Sequence, residues 1–217
     1  MSPNHLKSLF ERTHRTKTMT NILFINSCVR SGSRTKRLAD CLLSKLKEQA
    51  EDRNEQIRIE EVRTSEIPYP EIDEAFLQRR DALLAAGAYD DPLFSPARQF
   101  AAADCIVIAA PYWDLSFPAS LKRYFELINV TGITFKYTPE GYPQSLCRAA
   151  SLYYVMTAGG TFVPEEYGYG YIKSLAQNFY GIQDIRLIQA VGLDIDGADP
   201  EAILQESMLH AVSMLTM

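Results

Sequence analysis

The sequence has few of the residues on which metal centres and disulfide frameworks depend. Its 217 residues include only four cysteines and three histidines. No two cysteines form a C-x-x-C pair, and the histidines do not have zinc-site spacing. We therefore predict no metal site. A reducing compartment suits this cysteine usage, so the expected location is the cytoplasm.

Basic charge and long apolar runs are also scarce. The 22 lysines and arginines are spread along the chain and are outnumbered by 27 acidic residues, which gives a net charge of −5. This balance argues against a nucleic-acid partner. No apolar run approaches the length of a membrane span, so a membrane partner is not expected either.

The first 18 residues are polar and basic, and they lack the long apolar segment of a secretory signal. Met19 stands just before the first predicted strand. We predict that residues 1–18 form a disordered N-terminal tail. Residues 19–217 are predicted to form a single domain, because a chain of this length suffices for one sizeable core.

The apolar pattern of the remaining chain alternates between strands and helices. The strand-like runs are "NILFINS", "QIRIEEV", "DCIVIAAP", "ASLYYVMTAGG" and "IRLIQAVGL". Helical spacing of apolar residues follows most of these runs, as in "TKRLADCLLSKLKEQA". This alternation predicts an α/β three-layer sandwich, in which a five-stranded parallel sheet carries helices on both faces. The expected strand order is 2-1-3-4-5, which is flavodoxin-like.

Two segments interrupt this alternation. The segment "EIPYPEIDEAFLQRRDALLAAGAYDDPLF" is a long, partly helical insertion before the third strand. The segment "TGITFKYTPEG" alternates apolar and polar residues and predicts a short arm or hairpin. Such an aromatic arm either covers a pocket or partner subunit, or folds onto its own core, and the pattern leaves both possibilities open.

Polar or glycine-rich turns end the first, third and fourth predicted strands. These turns are "SCVRSGSRT", "PYWDLSFP" and "TAGGTF". In parallel α/β sheets the carboxyl ends of the strands share one edge, and ligands bind there. We therefore expect the three turns to meet in one ligand site.

The first turn admits two interpretations. Cys28 and Arg34 have the C-x5-R-T spacing of a protein-tyrosine-phosphatase loop, in which a thiolate attacks phosphorus and the arginine holds the phosphoryl group. Asp91 or Asp199, each followed by proline, would then be the general acid. Alternatively, Ser33 and Thr35 at a helix start hold a phosphate monoester without any nucleophile.

The other two turns decide between these interpretations. A phosphatase requires little from them, whereas a flavin site requires an aromatic wall and a close backbone approach. "PYWDL" offers the aromatic residues and "TAGG" offers the glycines. The combination favours a site for flavin mononucleotide (FMN), with Cys28 an inert loop thiol. A non-enzymatic flavodoxin-like electron carrier remains a third hypothesis.

The stretch "APYWDLSFPASLKRYFELINVTGITFKYTPEG" resembles the segment shared by FMN-dependent NAD(P)H:quinone oxidoreductases and azoreductases. "TAGG" and "SCVRSGSRTKRLAD" resemble the family's glycine turn and phosphate loop, and the resemblance extends from Thr20 to the C-terminus. It implies a flavoprotein oxidoreductase with FMN as cofactor and NADH or NADPH as co-substrate. A quinone or azo compound would accept two electrons in a ping-pong cycle. It also implies a homodimer with the active site at the subunit interface.

The resemblance also assigns roles to individual residues. It implies no catalytic side chain, because hydride transfer would occur at flavin N5. The implied cofactor-binding residues are Ser27, Ser33, Arg34, Thr35, Pro111, Tyr112, Trp113, Asp114, Leu115, Thr157, Ala158, Gly159 and Gly160. The implied substrate-pocket aromatics are Phe135, Tyr137 and Phe162.

Two residues depart from the family pattern. Asp114 stands where the family usually has an amide, and a carboxylate disfavours extra negative charge on reduced flavin. Trp113 replaces a smaller aromatic residue and would narrow the pocket. The choice between NADH and NADPH stays open, because no G-x-G-x-x-G fingerprint follows the first strand.

Overall fold

The structure, a computed structural model, describes residues 19–215, so the tail prediction for residues 1–18 lies outside it. Its centre is a five-stranded parallel sheet. The strands of this sheet are β1 (Met19–Asn26), β2 (Gln56–Arg63), β3 (Cys105–Ala109), β6 (Ser151–Thr157) and β7 (Asp184–Ala190). Their order is β2-β1-β3-β6-β7, which confirms the predicted order 2-1-3-4-5.

Six α-helices cover the sheet within the described residues. They are α1 (Arg34–Asp52), α2 (Glu74–Ala85), α3 (Ser95–Ala102), α4 (Ala119–Ile128), α5 (Tyr169–Asn178) and α6 (Pro200–Met214). Helices α1 and α6 pack on one face, where Leu38, Leu42 and Leu204 are buried against the strands. Helices α3, α4 and α5 pack on the other face through residues such as Phe100 and Phe125.

Burial explains the composition of each strand. All five residues of β3, "CIVIA", are buried, because a central parallel strand is covered on both faces. The edge strand β2 alternates instead and leaves several charged side chains exposed. Charged residues on an edge strand hinder pairing with another chain.

The arm predicted around Phe135 is a hairpin of two short antiparallel strands, β4 (Phe135–Tyr137) and β5 (Pro143–Ser145). Phe135 packs edge-on against Phe179, with 4.5 Å between ring centroids. Tyr137 is 55% exposed. The hairpin therefore both folds onto its own core and presents an aromatic residue to solvent.

The predicted insertion before β3 is partly helical, as expected. Helix α2 contributes no buried residue, whereas Phe94, in the short 3-10 turn Pro92–Phe94, is buried in the core. Among the helices of residues 19–215, none combines the length and apolar composition that a bilayer span requires. The four cysteines are all free thiols.

Candidate functional site

A cleft of about 470 Å³ opens at the carboxyl edge of the sheet. The three predicted turns meet there, which confirms their expected convergence. We call residues 29–35 the loop wall, residues 111–115 the aromatic wall and residues 157–160 the glycine turn. The lining residues are Val29, Arg30, Gly32, Ser33, Arg34, Thr35, Pro111, Tyr112, Trp113, Thr157, Ala158, Gly159, Leu193 and Asp194.

The loop wall presents the amino end of helix α1. Ser33 is the N-cap, and its Oγ accepts a hydrogen bond from the Lys36 N–H at 3.2 Å. The first N–H groups of a helix have no acceptor within the helix. The capping bond satisfies one of them and leaves the N–H groups of Arg34 and Thr35 available to an anion, which the helix dipole also favours.

A buried hydrogen bond joins the loop wall to the glycine turn. The hydroxyl oxygens of Thr35 and Thr157 are 2.6 Å apart, and both side chains are buried. These residues lie at the start of α1 and the end of β6, which are 122 positions apart in sequence. The bond fixes the relative position of two sides of the cleft.

The glycine turn packs closely against the loop that follows β7. The Leu193 and Asp194 N–H groups donate to the carbonyls of Ala158 and Gly159 at 3.2 and 3.0 Å. A Cβ on Gly159 would collide with the Asp194 carboxylate. A side chain at position 159 would therefore have to displace the Asp194 carboxylate, whereas a Cβ on Gly160 would meet no atom within 4 Å.

Asp194 also pairs with the loop wall. The Arg34 guanidinium donates to Asp194 Oδ1 at 2.7 Å, and the two side chains are 38% and 67% exposed. Sequence reasoning missed Leu193 and Asp194, because the loop after β7 carries no recognisable motif. Only the juxtaposition of β6 and β7 brings this loop to the cleft.

The aromatic wall ends in a tight two-residue turn. Backbone hydrogen bonds of 3.0 and 2.8 Å join Trp113 and Ser116 in both directions. The two residues between them, Asp114 and Leu115, have φ angles of 50° and 65°. Left-handed backbone costs a non-glycine residue about 1–2 kcal/mol. These two residues form the turn tip and do not line the cleft, whereas Trp113 lines it and is 39% exposed.

Tyr112 lines the cleft, but its hydroxyl group is not accessible to solvent. The Tyr112 Oη is buried and has no hydrogen-bond partner among the described residues. Burial, and secondly the Glu166 carboxylate, raise the pKa of Tyr112. The phenol therefore stays protonated at neutral pH.

Besides Asp114 and Leu115, five of the implied site residues do not line the cleft: Ser27, Gly160, Phe135, Tyr137 and Phe162. Ser27 is fully buried, and its Oγ accepts a hydrogen bond from Thr64 at 3.0 Å. Phe135 is 5% exposed and belongs to the core of its own chain. Tyr137 and Phe162 are 55% and 77% exposed but do not line the cleft. Of the three implied pocket aromatics, only Tyr137 and Phe162 are therefore accessible to a substrate or partner subunit.

The residues of the phosphatase hypothesis have other partners. Burial raises the pKa of Cys28 above the ordinary 9.0, so the residue is a thiol rather than a nucleophilic thiolate at neutral pH. Arg34 is held by Asp194. The carboxylates of Asp91 and Asp199 cap helical segments by accepting backbone N–H groups. The geometry thus disfavours phosphate-ester cleavage at this loop.

Comparison with known proteins agrees with the fold. A family model described as having a flavodoxin-like fold matches residues 20–215. An FMN-dependent NADH:quinone oxidoreductase of Clostridium perfringens is 33% identical over 205 residues, which are 90% of this chain and 98% of that protein. A protein of the same name from Lachnoclostridium phytofermentans is 36% identical over 197 residues, or 87% of this chain and 94% of the relative.

Solved structures share the fold at lower identity. The azoreductase of Bacillus anthracis strain Sterne superimposes with a TM-score of 0.77 at 22% identity, covering 90% of this chain and 98% of that one. An FMN-dependent NADH-azoreductase from B. anthracis strain Ames Ancestor, solved in complex with FMN, gives a TM-score of 0.76 at 23% identity over 91% and 98%.

The fold is that of the doubly wound α/β class, in which ligands bind beyond the carboxyl ends of the strands, where this cleft lies. Within that class, the chain belongs to the flavodoxin-like family that includes the FMN-dependent NADH:quinone oxidoreductases.

Proposed function

We propose that this protein is an FMN-dependent NAD(P)H oxidoreductase that reduces quinones and azo compounds by transfer of two electrons. The observation that carries this proposal is the meeting of a helix amino end, an aromatic wall and a glycine turn in one cleft. The names of the relatives, FMN-dependent NADH:quinone oxidoreductase and azoreductase, support the same reaction class.

The loop wall suits a phosphate monoester. The free N–H groups of Arg34 and Thr35 and the Ser33 N-cap supply hydrogen bonds without a nucleophile. The anion would meet the positive end of the α1 dipole there. We assign the FMN phosphate to this wall.

The other two sides suit a flat heteroaromatic ring. Trp113 and the ring of Tyr112 offer apolar faces, and the glycine turn admits a ring edge close to its backbone. When bound, FMN would accept a hydride from nicotinamide and pass two electrons to the acceptor. The protein residues would position the ring and exclude water from one of its faces.

Tyr112 is not a suitable proton donor despite lining the cleft. Its hydroxyl oxygen is buried and would have to be uncovered before it could reach a substrate. Protons for the acceptor would then come from solvent at the open side of the cleft. This assignment leaves the chain without a catalytic acid, as expected for flavin chemistry.

We propose further that the protein acts as a homodimer. Large apolar side chains beside the cleft are exposed: Val29 is 55% exposed, Leu115 45% and Phe162 77%. Large exposed apolar side chains on the loops around a cleft support an interaction surface there. A second copy of the chain would cover them and complete the acceptor pocket with Tyr137 and Phe162. The free cysteines favour a cytoplasmic location.

Titration of the purified apoprotein with FMN is the first experiment. We expect quenching of flavin fluorescence at one FMN per chain, and oxidation of NADH or NADPH that is accelerated by a simple quinone. A protein that bound no FMN would overturn the proposal. Binding of FMN without quinone-dependent NAD(P)H oxidation would identify an electron carrier instead.

A further inference from the structure

Three charged side chains line the cleft in residues 19–215. They are Arg30, Arg34 and Asp194. The charge of a bound phosphate dianion would therefore be neutralised by one or both arginines, and the Asp194 carboxylate would repel it. The two arginines differ in what already holds them.

Arg34 is engaged in the free protein. Its guanidinium donates to Asp194 at 2.7 Å, and the Asp194 backbone is in turn fixed to Gly159. Moving this guanidinium to a ligand would break the ion pair and leave a carboxylate beside an anion. Binding of a phosphate by the Arg34 side chain would therefore cost the ion pair with Asp194.

The other basic residues at the start of α1 are engaged as well. Arg37 makes two hydrogen bonds of 2.8 Å to the Glu201 carboxylate, outside the cleft. Lys36 contacts both carboxylate oxygens of Asp40 at 2.8 Å. Neither side chain lines the cleft.

Arg30 has no acidic partner within residues 19–215, and it is exposed. The Ser33 N–H donates to the Arg30 carbonyl at 3.2 Å, so a turn folds Arg30 back over the start of α1. Such a turn brings its first and last Cα atoms within about 7 Å of each other. A Cβ built on Gly32, which lies between them, meets no atom within 4 Å. Arg30 therefore lies beside the start of α1, and it lines the cleft together with Ser33 and Thr35.

We propose that Arg30 is the side chain that binds the phosphate monoester of the cofactor, while Asp194 retains Arg34 on the cleft wall. The inference rests on the proposed FMN function. Arg30 supplies a guanidinium that can donate two hydrogen bonds to phosphate oxygens. Arg34 and Thr35 contribute through their backbone N–H groups, and Asp194 limits affinity for the dianion by like-charge repulsion.

The test compares charge-removing variants by flavin fluorescence titration with FMN and with riboflavin, which lacks the phosphate. Arg30→Gln should weaken FMN binding about 10- to 100-fold, as expected for loss of hydrogen bonds to a charged group. Riboflavin affinity should not change. The salt dependence of FMN binding should also flatten in this variant.

Three further variants test whether the effect is specific to Arg30. The double variant Arg34→Gln/Asp194→Asn removes the ion pair with no change in net charge and should bind FMN within about threefold of the wild type. Arg37→Gln removes a guanidinium outside the cleft and should leave FMN affinity unchanged. Asp194→Asn alone should bind FMN more tightly than the wild type.

Loss of FMN affinity in the double variant, with Arg30→Gln unaffected, would overturn the inference and assign the phosphate to Arg34. A change confined to the KM for NADPH in Arg30→Gln would also overturn it, by placing Arg30 at the nicotinamide cofactor. In both cases the wild type binds FMN. A wild type that binds no FMN would instead refute the proposed function.

Discussion

The loop wall and the aromatic wall face the same cleft but are built differently. The loop wall includes the start of a 19-residue helix whose N-cap is Ser33. Its Thr35 forms a buried hydrogen bond with Thr157. The aromatic wall ends in a two-residue turn with left-handed backbone, and its large side chains are 39% and 45% exposed at Trp113 and Leu115.

Under the proposed function, this difference predicts that one chain completes the anion site but not the ring site. A phosphate needs N–H groups and positive charge, and a single loop and helix end supply them. A flat ring with an exposed face needs a cover, which the aromatic wall alone does not provide. Variants of residues on each wall test this division.

Thr35→Val should remove the bond that fixes the loop wall. It leaves the Thr157 hydroxyl buried and without its partner, which costs about 1–3 kcal/mol in the free energy of unfolding. Urea denaturation measures this cost. Thr35→Ser retains a hydroxyl and is the control. Equal stability of the two variants would show that the loop wall does not depend on this bond.

Trp113→Ala should weaken FMN and riboflavin by the same factor, since Trp113 meets the ring and not the phosphate. Stacking of a flat base on an aromatic side chain is worth about 1–3 kcal/mol, so we expect about a tenfold loss of affinity. Fluorescence titration with both ligands measures it, and Trp113→Phe should retain most of the affinity. A loss for FMN without a loss for riboflavin would contradict the division between the walls.

Leu115→Gly should change the free energy of unfolding by less than about 0.5 kcal/mol, because relief of left-handed strain offsets the greater flexibility of glycine. Leu146 is a matched control: it is 38% exposed, close to the 45% of Leu115, and has no positive φ. Leu146→Gly should therefore lose about 1 kcal/mol. Equal losses in the two variants would show that the turn at residues 113–116 is not strained.

Cys28→Ser should leave FMN affinity unchanged, since Cys28 does not line the cleft. Burial raises the pKa of Cys28 above 9.0, so its thiolate is scarcer at pH 8 than that of an unperturbed cysteine. Alkylation by iodoacetamide, followed by peptide mapping, should be slower than for a model cysteine peptide and should accelerate only above pH 9. Fast alkylation at pH 7 would restore the thiolate required by the phosphatase hypothesis.

Local patterns were sufficient to predict the framework and the position of the cleft. The five strand-like runs located the strands, as with the continuous apolar segment "CIVIA" of β3, and their alternation with helices indicated the flavodoxin-like order that the sheet has. The turns after β1, β3 and β6 were expected to meet because the carboxyl ends of parallel strands share an edge. The hairpin at residues 135–145 was also predicted from its alternation.

Other features could not be predicted because they depend on residues distant in sequence. Asp194 follows a strand without a motif, and only the pairing of β6 with β7 brings it to Arg34, 160 positions away. Phe135 alternates like an exposed arm residue, yet tertiary packing places its ring against Phe179. Alternation indicates that the two faces of a hairpin differ, but it does not indicate which face packs against the core.

The sequence by itself determined the doubly wound sheet, its ligand-binding edge and the helix start at Ser33, because hydrophobic period and capping chemistry are local properties. The tertiary structure alone decided which charges in the cleft are free. Arg30 and Arg34 are both arginines in the turn that follows β1, and the sequence does not distinguish them. They differ because folding places a carboxylate beside Arg34 and, among residues 19–215, no ion-pair partner beside Arg30. Ion pairing is a property of distances in space, which spacing along the chain does not fix.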